Sequence, residues 1–195
     1  MLASILRNRT ENISVQSDFR SAMSRAVTGV NIVTTDGPEG RYGLTVSAVS
    51  SVSAEPPMLL VCVNQKSVAC SAIEANGLFA INVLATDQQS AAETFSGSDA
   101  HGDAYTFKDE DWTTAITKSP VLKCAVATFD CKIEAIIPAA THTIFIGRVQ
   151  ATCARPSTPL LYTSRNYGRP LHRAGSNSRA RFPIGTKTVL EQSCA

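Results

Sequence analysis

The amino-acid sequence predicts a mainly β fold, a small antiparallel barrel of about six strands with peripheral helices. Several short segments alternate apolar and polar residues, which is typical of strands with one buried face. Helical patterns are few and do not alternate regularly with strands, which disfavours a doubly wound parallel sheet. Closing the sheet on itself would remove its exposed edges, so a barrel is the expected architecture.

Composition limits the class of protein. The chain has 195 residues, 44% hydrophobic and 17% charged, so one domain with a well-packed core is expected. Its apolar runs are short and its N-terminus has no cleavage pattern, so we expect neither a transmembrane helix nor a secretion signal. Six cysteines without a C-x-x-C pair predict free thiols in a reducing cytosol, not disulfides or a zinc site.

Charged residues are unevenly distributed along the chain. Residues 1–164 carry 12 basic and 15 acidic side chains, whereas residues 165–195 carry six basic side chains and one acidic. The body has no basic stripe with interleaved aromatic residues, so nucleic acid is not an expected partner. We expect three parts: an N-terminal arm over 1–16, one domain over 17–172, and a solvated basic tail over 173–195.

The first elements are expected to be a helix and a hairpin. A helix should begin near Ser17, a good N-cap residue, and carry one apolar stripe. The stripe comprises Phe19, Ala22, Met23, Ala26, Val27 and Val30. Asn31–Thr35 should then form a short strand, and the glycines of residues 36–43 lead into a second strand at Leu44–Ala48. A dinucleotide-binding glycine loop would lead into a helix, so these glycines predict a hairpin loop instead.

The second strand carries a stripe of small hydroxyl groups on one face. That face holds Thr45, Ser47, Ser51 and Ser53, and the inward face is expected to hold Leu44, Val46, Ala48 and Val52. The alternation breaks at Val49–Ser50, where a bulge is expected. Glu55–Pro57 should end the segment, because proline cannot continue a central strand.

Two buried strands and a helix follow. Met58–Val63 is a continuous apolar run, which predicts a strand buried on both faces. The turn Asn64–Ser67 precedes a helical pattern that ends at Asn76-Gly77. Phe79–Leu84 predicts another buried strand.

A short helix and a long polar segment come next. Asp87 is expected to cap a helix that runs through Phe95. Residues 96–120 are polar and glycine-containing, with Tyr105, Phe107 and Trp112 as isolated aromatic anchors. A second subunit is expected to supply apolar cover for Phe107 and Trp112, which predicts a dimer.

The last clear pattern is a hairpin. Ala125–Ala135 and His142–Thr152 both alternate, and the turn between them is expected at Pro138–Thr141.

Motifs for covalent or metal chemistry are missing from the sequence. It contains no G-x-S-x-G and no H-E-x-x-H, and His101, His142 and His172 lie far apart.

The remaining polar features of the sequence predict a binding surface. The hydroxyl stripe offers partners to a polar ring system, while the turn Asn64–Ser67 offers backbone N–H groups and the Lys66 ammonium to an anion such as phosphate. Each feature has a purely structural alternative, since such a stripe can be solvated and Ser67 can serve only as an N-cap.

Four segments resemble one family in their order and spacing. They are Phe19-Arg20-x-x-Met23 with Thr28-Gly29-Val30; Gly43-Leu-Thr-x-Ser-Ala-x-Ser-Ser-Val-Ser-x-x-Pro-Pro57; Phe79-Ala-Ile-Asn-Val-Leu84 with Gln88 and Phe95-Ser-Gly97; and His142-Thr-x-x-Ile146-Gly-x-Val149, followed by Pro159-Leu-Leu-Tyr162. Over residues 17–170 the chain resembles the short-chain flavin reductases, the reductase components of two-component flavin monooxygenases.

The resemblance implies an FMN-binding split barrel, usually a homodimer, that uses NADH or NADPH to reduce FMN or FAD for a separate oxygenase. By matching position, the flavin-binding residues would be Thr45, Ser47, Ala48, Ser51, Cys62, Val63, Asn64, Lys66, Ser67, Asn82 and Phe95. Lys66 and Ser67 would meet the phosphate. His142 would lie near the nicotinamide as the catalytic candidate, with Tyr167 nearby. Ala48 stands where the family often has serine, so a backbone group would replace one side-chain contact.

Direct hydride transfer between two stacked rings depends on how the rings are positioned and needs no nucleophile. This agrees with the lack of motifs for covalent or metal chemistry in the sequence. Two alternatives stay open on the same barrel: a non-catalytic flavin-binding or electron-carrier protein, and a flavin oxidase that consumes its own substrate. The sequence does not decide between FMN and FAD or between NADH and NADPH.

Overall fold

The computed structural model describes residues 14–97 and 103–171. The basic tail, most of the expected arm, His101 and His172 lie outside these residues. Residues 14–24 are helical, so helical structure already includes the end of the expected arm. The domain boundaries expected after residues 16 and 172 stay predictions.

The described residues form three helices and twelve strands. The helices are α1 (14–24), α2 (Val68–Asn76) and α3 (Gln89–Phe95). The strands are β1 (Thr28–Gly29), β2 (Asn31–Thr35), β3 (Tyr42–Val46), β4 (Val49–Ala54), β5 (Pro57–Asn64), β6 (Leu78–Val83), β7 (Trp112–Thr114), β8 (Pro120–Leu122), β9 (Ala127–Ala139), β10 (His142–Ala154), β11 (Leu161–Thr163) and β12 (Asn166–Gly168). Short 3₁₀ turns cover Thr86–Gln88 and Asp109–Asp111.

Seven strands form one antiparallel sheet in the order β3-β2-β6-β9-β10-β5-β4. Although β3 and β4 lie at opposite ends of this order, only Ser47 and Ala48 connect them. The sheet must therefore curl until its two ends approach, and the Cys62 N–H donates to the Ala48 carbonyl at 3.0 Å across the gap. The predicted antiparallel barrel is confirmed, and since no ladder joins β3 to β5 in the described chain, a groove stays open between them.

Two apolar cores lie on opposite sides of this curled sheet. The inner core fills the barrel and includes Val33, Val46, Leu59, Val61, Val63, Cys70, Ile73, Phe79, Ile81, Cys131 and Phe145. The outer core lies beneath α3 and the β7–β8 hairpin and includes Val30, Ile32, Leu84, Ala92, Phe95, Trp112, Leu122, Ala125 and Leu160. Together they hold both walls of the open groove in place.

The expectation that Phe107 and Trp112 need cover from a second subunit is wrong. Their rings pack edge to face with Phe95 of α3 at centroid distances of 4.7 and 5.4 Å. Trp112 is only 8% exposed. The helix that precedes the long segment supplies the cover within the same chain.

The signals at both ends of α2 are confirmed. The Ser67 hydroxyl oxygen accepts a hydrogen bond from the Ala69 N–H at 3.3 Å, which is N-cap geometry. Gly77 ends the helix with φ 71°, in the left-handed region that favours glycine, and its N–H donates to the Ile73 carbonyl.

The hydroxyl-bearing segment differs from its prediction because the chain crosses from one end of the sheet to the other within it. The single expected strand is divided into β3 and β4 at Ser47 and Ala48. Ala48 and Val52 are therefore exposed, not inward-facing. The bulge falls between Ser51 and Ser53, later than expected.

Three further details correct the sequence analysis. β5 is fully buried on one face only, the one that carries Leu59, Val61 and Val63. Pro138 lies within β9, and the turn is formed by Ala140 and Thr141. Asp87 does not cap α3; the Gln88 side-chain oxygen accepts from the Ala85 N–H at 3.0 Å instead.

Candidate functional site

The open groove between β3 and β5 contains a cleft of about 590 Å³. Its walls come from the beginning of β3, from the turn that leads into α2, and from the segment after α3. The lining residues are Arg41, Tyr42, Gly43, Leu44, Asn64, Lys66, Ser67, Val68, Ala69 and Tyr105. Three residues that the sequence assigned to the site, Asn64, Lys66 and Ser67, thus meet in one cleft.

The turn Asn64–Ser67 satisfies most of its own backbone groups. The Lys66 N–H donates to the Asn64 side-chain oxygen at 2.9 Å, and the Ser67 N–H donates to the Asn64 carbonyl at 3.0 Å. The Gln65 N–H donates to the Thr141 carbonyl at 3.1 Å. The expectation that these backbone amides are available to an anion is therefore wrong.

Three other groups remain for an anion at this turn. The Lys66 side chain is exposed and has no ion-pair partner among the described residues. The Ser67 hydroxyl accepts one hydrogen bond and keeps its proton to donate. The first turn of α2 contains no acidic residue, so its dipole favours a negative charge at this end. This donor set fits a phosphate group.

The other end of the groove lies at the connection between β3 and β4. Ser47 and Ala48 are exposed there, next to the half-buried Cys62. The Thr45 hydroxyl donates to the Ala92 carbonyl of α3 at 2.7 Å, which leaves only its oxygen lone pairs for a ligand. Ser51 is also exposed but lies farther along, opposite Leu59. Ser47, Ala48 and Cys62 therefore lie together, whereas Ser51 lies farther along β4.

Three of the predicted cofactor-binding side chains are buried away from the groove surface. Val63 and Asn82 are 0% exposed and Phe95 is 1% exposed. Asn82 donates to the Ile32 carbonyl at 3.1 Å and accepts from the Leu122 N–H at 2.7 Å, so its amide is already occupied. Burial contradicts direct cofactor contact by these side chains.

Phe95 acts on the groove indirectly, through Gly43. The space that a Cβ atom at Gly43 would need is taken by the Phe95 ring, whose Cε1 lies 2.6 Å from that position. A glycine therefore lets β3 approach α3 closely. Phe95 and Gly43 set the position of the strand that forms one wall.

His142 lies beside the turn Asn64–Ser67, at one end of the groove. It pairs in register with Asn64 across β10 and β5, and its carbonyl accepts from the Gln65 side chain at 3.1 Å. The imidazole is exposed, and its Nδ1 lies 2.9 Å from the Thr141 hydroxyl oxygen. The sequence predicted a cleft-facing position for this residue, and its register adjoins the cleft.

Tyr167 lies elsewhere, in the small sheet formed by β1, β11 and β12. Its ring packs on Tyr162 at 5.2 Å and against the outer core. Burial, then the nearby Glu93 and Tyr162, raise the pKa of its phenol. Tyr167 and His142 thus belong to different sheets, and Tyr167 borders α3 as Thr45 does.

Sequence reasoning missed Arg41, Tyr42 and Tyr105. Arg41 donates from Nε to Asp36 at 3.0 Å and from Nη1 to Asp109 at 3.5 Å, and its guanidinium carbon lies 5.7 Å from the Phe107 ring centroid. Tyr105 reaches the same cleft from the segment after α3. No local motif marks these residues, because the fold alone brings the two segments together.

Two negative findings concern the described residues. None of their helices is long and apolar enough to cross a membrane. No group of His, Cys, Asp and Glu side chains among them could hold a metal ion.

Fold and site together define an antiparallel β-barrel with a side groove that can hold an elongated, phosphate-bearing ligand. Comparison with known proteins makes this specific. Residues 23–170 match the flavin reductase like domain, and the chain belongs to that family.

Curated relatives agree with the family match. The FMN reductase (NADH) RutF of Stutzerimonas stutzeri A1501 is 41% identical over 154 residues, which cover 78% of this chain and 87% of that protein. The protein of the same name from Variovorax paradoxus S110 is 40% identical and covers 78% of this chain and 84% of that protein.

Solved structures agree as well. The NADH:FAD oxidoreductase SgcE6 of Streptomyces globisporus C-1027, in complex with NAD and FAD fragments, is 30% identical with a TM-score of 0.73, covering 82% of this chain and 94% of that one. The flavin reductase of styrene monooxygenase from Pseudomonas putida S12 is 28% identical with a TM-score of 0.68, covering 80% and 99%. The predicted split-barrel fold and family are confirmed.

Proposed function

We propose that this chain is an NAD(P)H:flavin oxidoreductase, which transfers a hydride from NADH or NADPH to FMN or FAD. The observation that carries the proposal is the groove between β3 and β5, with an exposed ammonium and a capped helix start at one end and exposed polar groups at the other. Relatives named FMN reductase (NADH) support the same activity and favour FMN and NADH.

When bound, the nicotinamide and flavin rings supply the hydride chemistry themselves. The chain binds and orients them. Lys66 and Ser67 hold the flavin phosphate, and the Ser47 hydroxyl with the Ala48 backbone meets the polar edge of the ring. Hydrogen-bond donors at that edge stabilise negative charge that develops there. The half-buried Cys62 and the wall of β3 exclude water from one side of the groove.

Catalytic oxidation of NADH tests the proposal. Purified chain is mixed with NADH and FMN, and absorbance at 340 nm is followed against controls without flavin or without protein. We expect many turnovers per chain, with parallel runs on FAD and NADPH to rank the substrates. An electron carrier or flavin-binding protein would give no more than a single equivalent, and that result would contradict the proposal.

We further propose that the reduced flavin leaves for a separate oxygenase component. The groove is open along one side, so a bound flavin can exchange with solvent. Two solved structures support this division of labour: the flavin reductase component of a two-component tryptophan halogenase and the flavin reductase of styrene monooxygenase. A tightly retained flavin that reacts with a substrate of its own would favour an oxidase instead.

A homodimer is the proposed assembly, with α1 as part of the interface. The predicted stripe is only partly helical, because α1 ends at residue 24 and Val30 is buried in the outer core. Phe19 and Met23 of that stripe lie on α1 and are 64% and 52% exposed, as is Val15 on the same helix at 66%. A face of this kind on a helix is normally buried, and a second copy would cover it.

The proposed location is a reducing cytosol. The free thiols of the described chain support it, namely Cys62, Cys70, Cys124, Cys131 and Cys153.

A further inference from the structure

The cleft continues beyond the turn that would hold the flavin phosphate. Under the proposed function, on which this inference rests, the ring lies toward Ser47 and Ala48 and the phosphate lies at Lys66 and Ser67. Arg41 and the beginning of β3 line the same cleft on the side away from the ring. The cleft therefore has room and lining groups that an FMN molecule would not use.

Arg41 is held in a way that suits a second phosphate. Asp36 binds Nε and the largely exposed Asp109 binds Nη1, while Nη2 makes no hydrogen bond within the described residues. The two carboxylates fix the plane of the guanidinium, but their negative charges also repel an anion. Hydrogen bonds from Nη2 to the anion must therefore be stronger than this repulsion. A planar guanidinium with unpaired N–H groups matches phosphate oxygens well.

Tyr105 supplies an aromatic surface at the same place. Its side chain is 51% exposed, although its N–H is fixed by a hydrogen bond to the Thr94 carbonyl at 3.0 Å. A Cβ atom at Gly97 would clash with its hydroxyl, so the glycine allows this position. An anchored but exposed ring at a cleft offers a face for stacking a purine base.

We propose that Arg41 and Tyr105 form a subsite for the ADP half of a dinucleotide. Arg41 binds the phosphate that FMN lacks, and the Tyr105 ring stacks on the adenine. FAD and NADH both carry this half, so the same chemistry has two possible sources. The experiment therefore separates them with two measurements on the same variants.

The first measurement compares the Kd values of FMN and FAD by quenching of flavin fluorescence. If the subsite takes the ADP half of FAD, Arg41→Gln and Tyr105→Leu should each weaken FAD binding about fivefold or more, while FMN binding stays within about twofold. Arg148→Gln is the matched control, since Arg148 is also half-exposed and ion-paired, with Glu134, but lies in the middle of β10 and pairs with Met58 at the opposite end of β5 from Asn64.

The second measurement is the KM for NADH with saturating FMN as acceptor. If the ADP half belongs to NADH, this KM rises about fivefold in both variants while the ratio of FAD to FMN affinity stays unchanged. Either pattern supports the subsite. No change in both measurements, or an equal loss of FMN and FAD affinity, overturns it.

Two controls keep these outcomes interpretable. Retained FMN binding shows that a variant is folded, and Arg41→Lys keeps the charge without the planar fork, so it should give a smaller loss. The Lys66→Ala variant tests the proposed flavin site separately. If Lys66→Ala leaves FMN affinity unchanged, the proposed phosphate position is wrong. If Arg41→Gln and Tyr105→Leu leave FAD affinity and the KM for NADH unchanged, only the ADP subsite is wrong.

Discussion

Lys66 and Ser67 are neighbours in sequence but contribute differently to the molecule. The Ser67 hydroxyl caps α2, whereas the Lys66 side chain is exposed and free of ion pairs within the described chain. Binding and stability effects at these two positions can therefore be separated.

We predict that Lys66→Ala weakens FMN binding roughly tenfold, since a charge-assisted contact to phosphate is lost. Its Tm should not change. Ser67→Asp keeps a capping oxygen but adds a negative charge, so it should also lose FMN affinity with little change in Tm. Fluorescence titration and thermal unfolding measure both, and unchanged FMN affinity in the two variants would count against the site.

For His142→Ala we expect the KM for NADH to rise about fivefold while FMN affinity stays nearly constant, as for loss of one modest contact. Direct transfer between two bound rings would not require the imidazole, so a substantial rate should remain. Because His142 pairs with Asn64 beside the phosphate turn, loss of FMN affinity instead would place it in the flavin site. Complete loss of activity with both ligands bound would make it an acid–base catalyst.

Cys131 and Cys124 should differ sharply toward thiol reagents. Burial, then the neighbouring Asp130, raise the pKa of Cys131 to about 12, whereas Cys124 is exposed. At pH 8 iodoacetamide should label Cys124 and leave Cys131 unmodified in the folded protein, as mass spectrometry would detect. The linked stability is complete below the ordinary thiol pKa and is lost as the pH rises toward 12, because the unfolded chain ionises this thiol first.

At the scale of elements, the β9–β10 hairpin is the part of the fold most sensitive to added volume. Its two 13-residue strands cross the inner core, and Gly147 of β10 faces that core. A Cβ atom there would lie 2.5 Å from Phe79 Cζ and 2.9 Å from Cys131 Cβ. Phe79 is fully buried and has no space to move into.

Gly147→Ala should therefore lower the free energy of unfolding by about 1–3 kcal/mol through overpacking. Gly168→Ala is the control, since a Cβ atom at Gly168 meets nothing within 4 Å. Urea denaturation of both variants measures the difference. Equal stability of the two would show that the inner core adapts freely, contrary to its close packing.

At the scale of the whole molecule, the apolar face of α1 is not covered by the rest of a single subunit in the described chain. Its apolar residues Phe19 and Met23 are more than half exposed in the described chain. The hydrophobic effect disfavours leaving such a stripe in water. This supports the proposed homodimer better than the aromatic segment did, because that segment is covered by α3.

We predict that the wild-type chain sediments as a dimer at micromolar concentration and that Phe19→Asp shifts it toward monomer. Ile116→Asp is the matched control, because Ile116 is also exposed, at 62%, but lies on a different segment. Analytical ultracentrifugation distinguishes the species. A fully active wild-type monomer would sink the dimer proposal.

The sequence by itself determined the local elements and the class of fold. Strand alternation marked the β9–β10 hairpin, and Ser67 with Gly77 marked the ends of α2, because caps and one-sided burial depend on residues close in the chain. The four spaced segments also identified the family. Lys66 and Ser67 were found for the same reason, since a turn before a helix is a local feature.

Tertiary structure decided which polar groups remain available to a ligand. Asn82 and Thr45 looked like free partners, but the folded chain occupies them with Leu122 and Ala92, far away in sequence. Arg41 carried no local signal, and Tyr105 was marked only as an aromatic anchor of a polar segment. The two line one cleft because the sheet curls and the segment after α3 folds back onto it. Periodicity shows which face of an element is apolar, whereas long-range packing decides what that face and its polar neighbours contact.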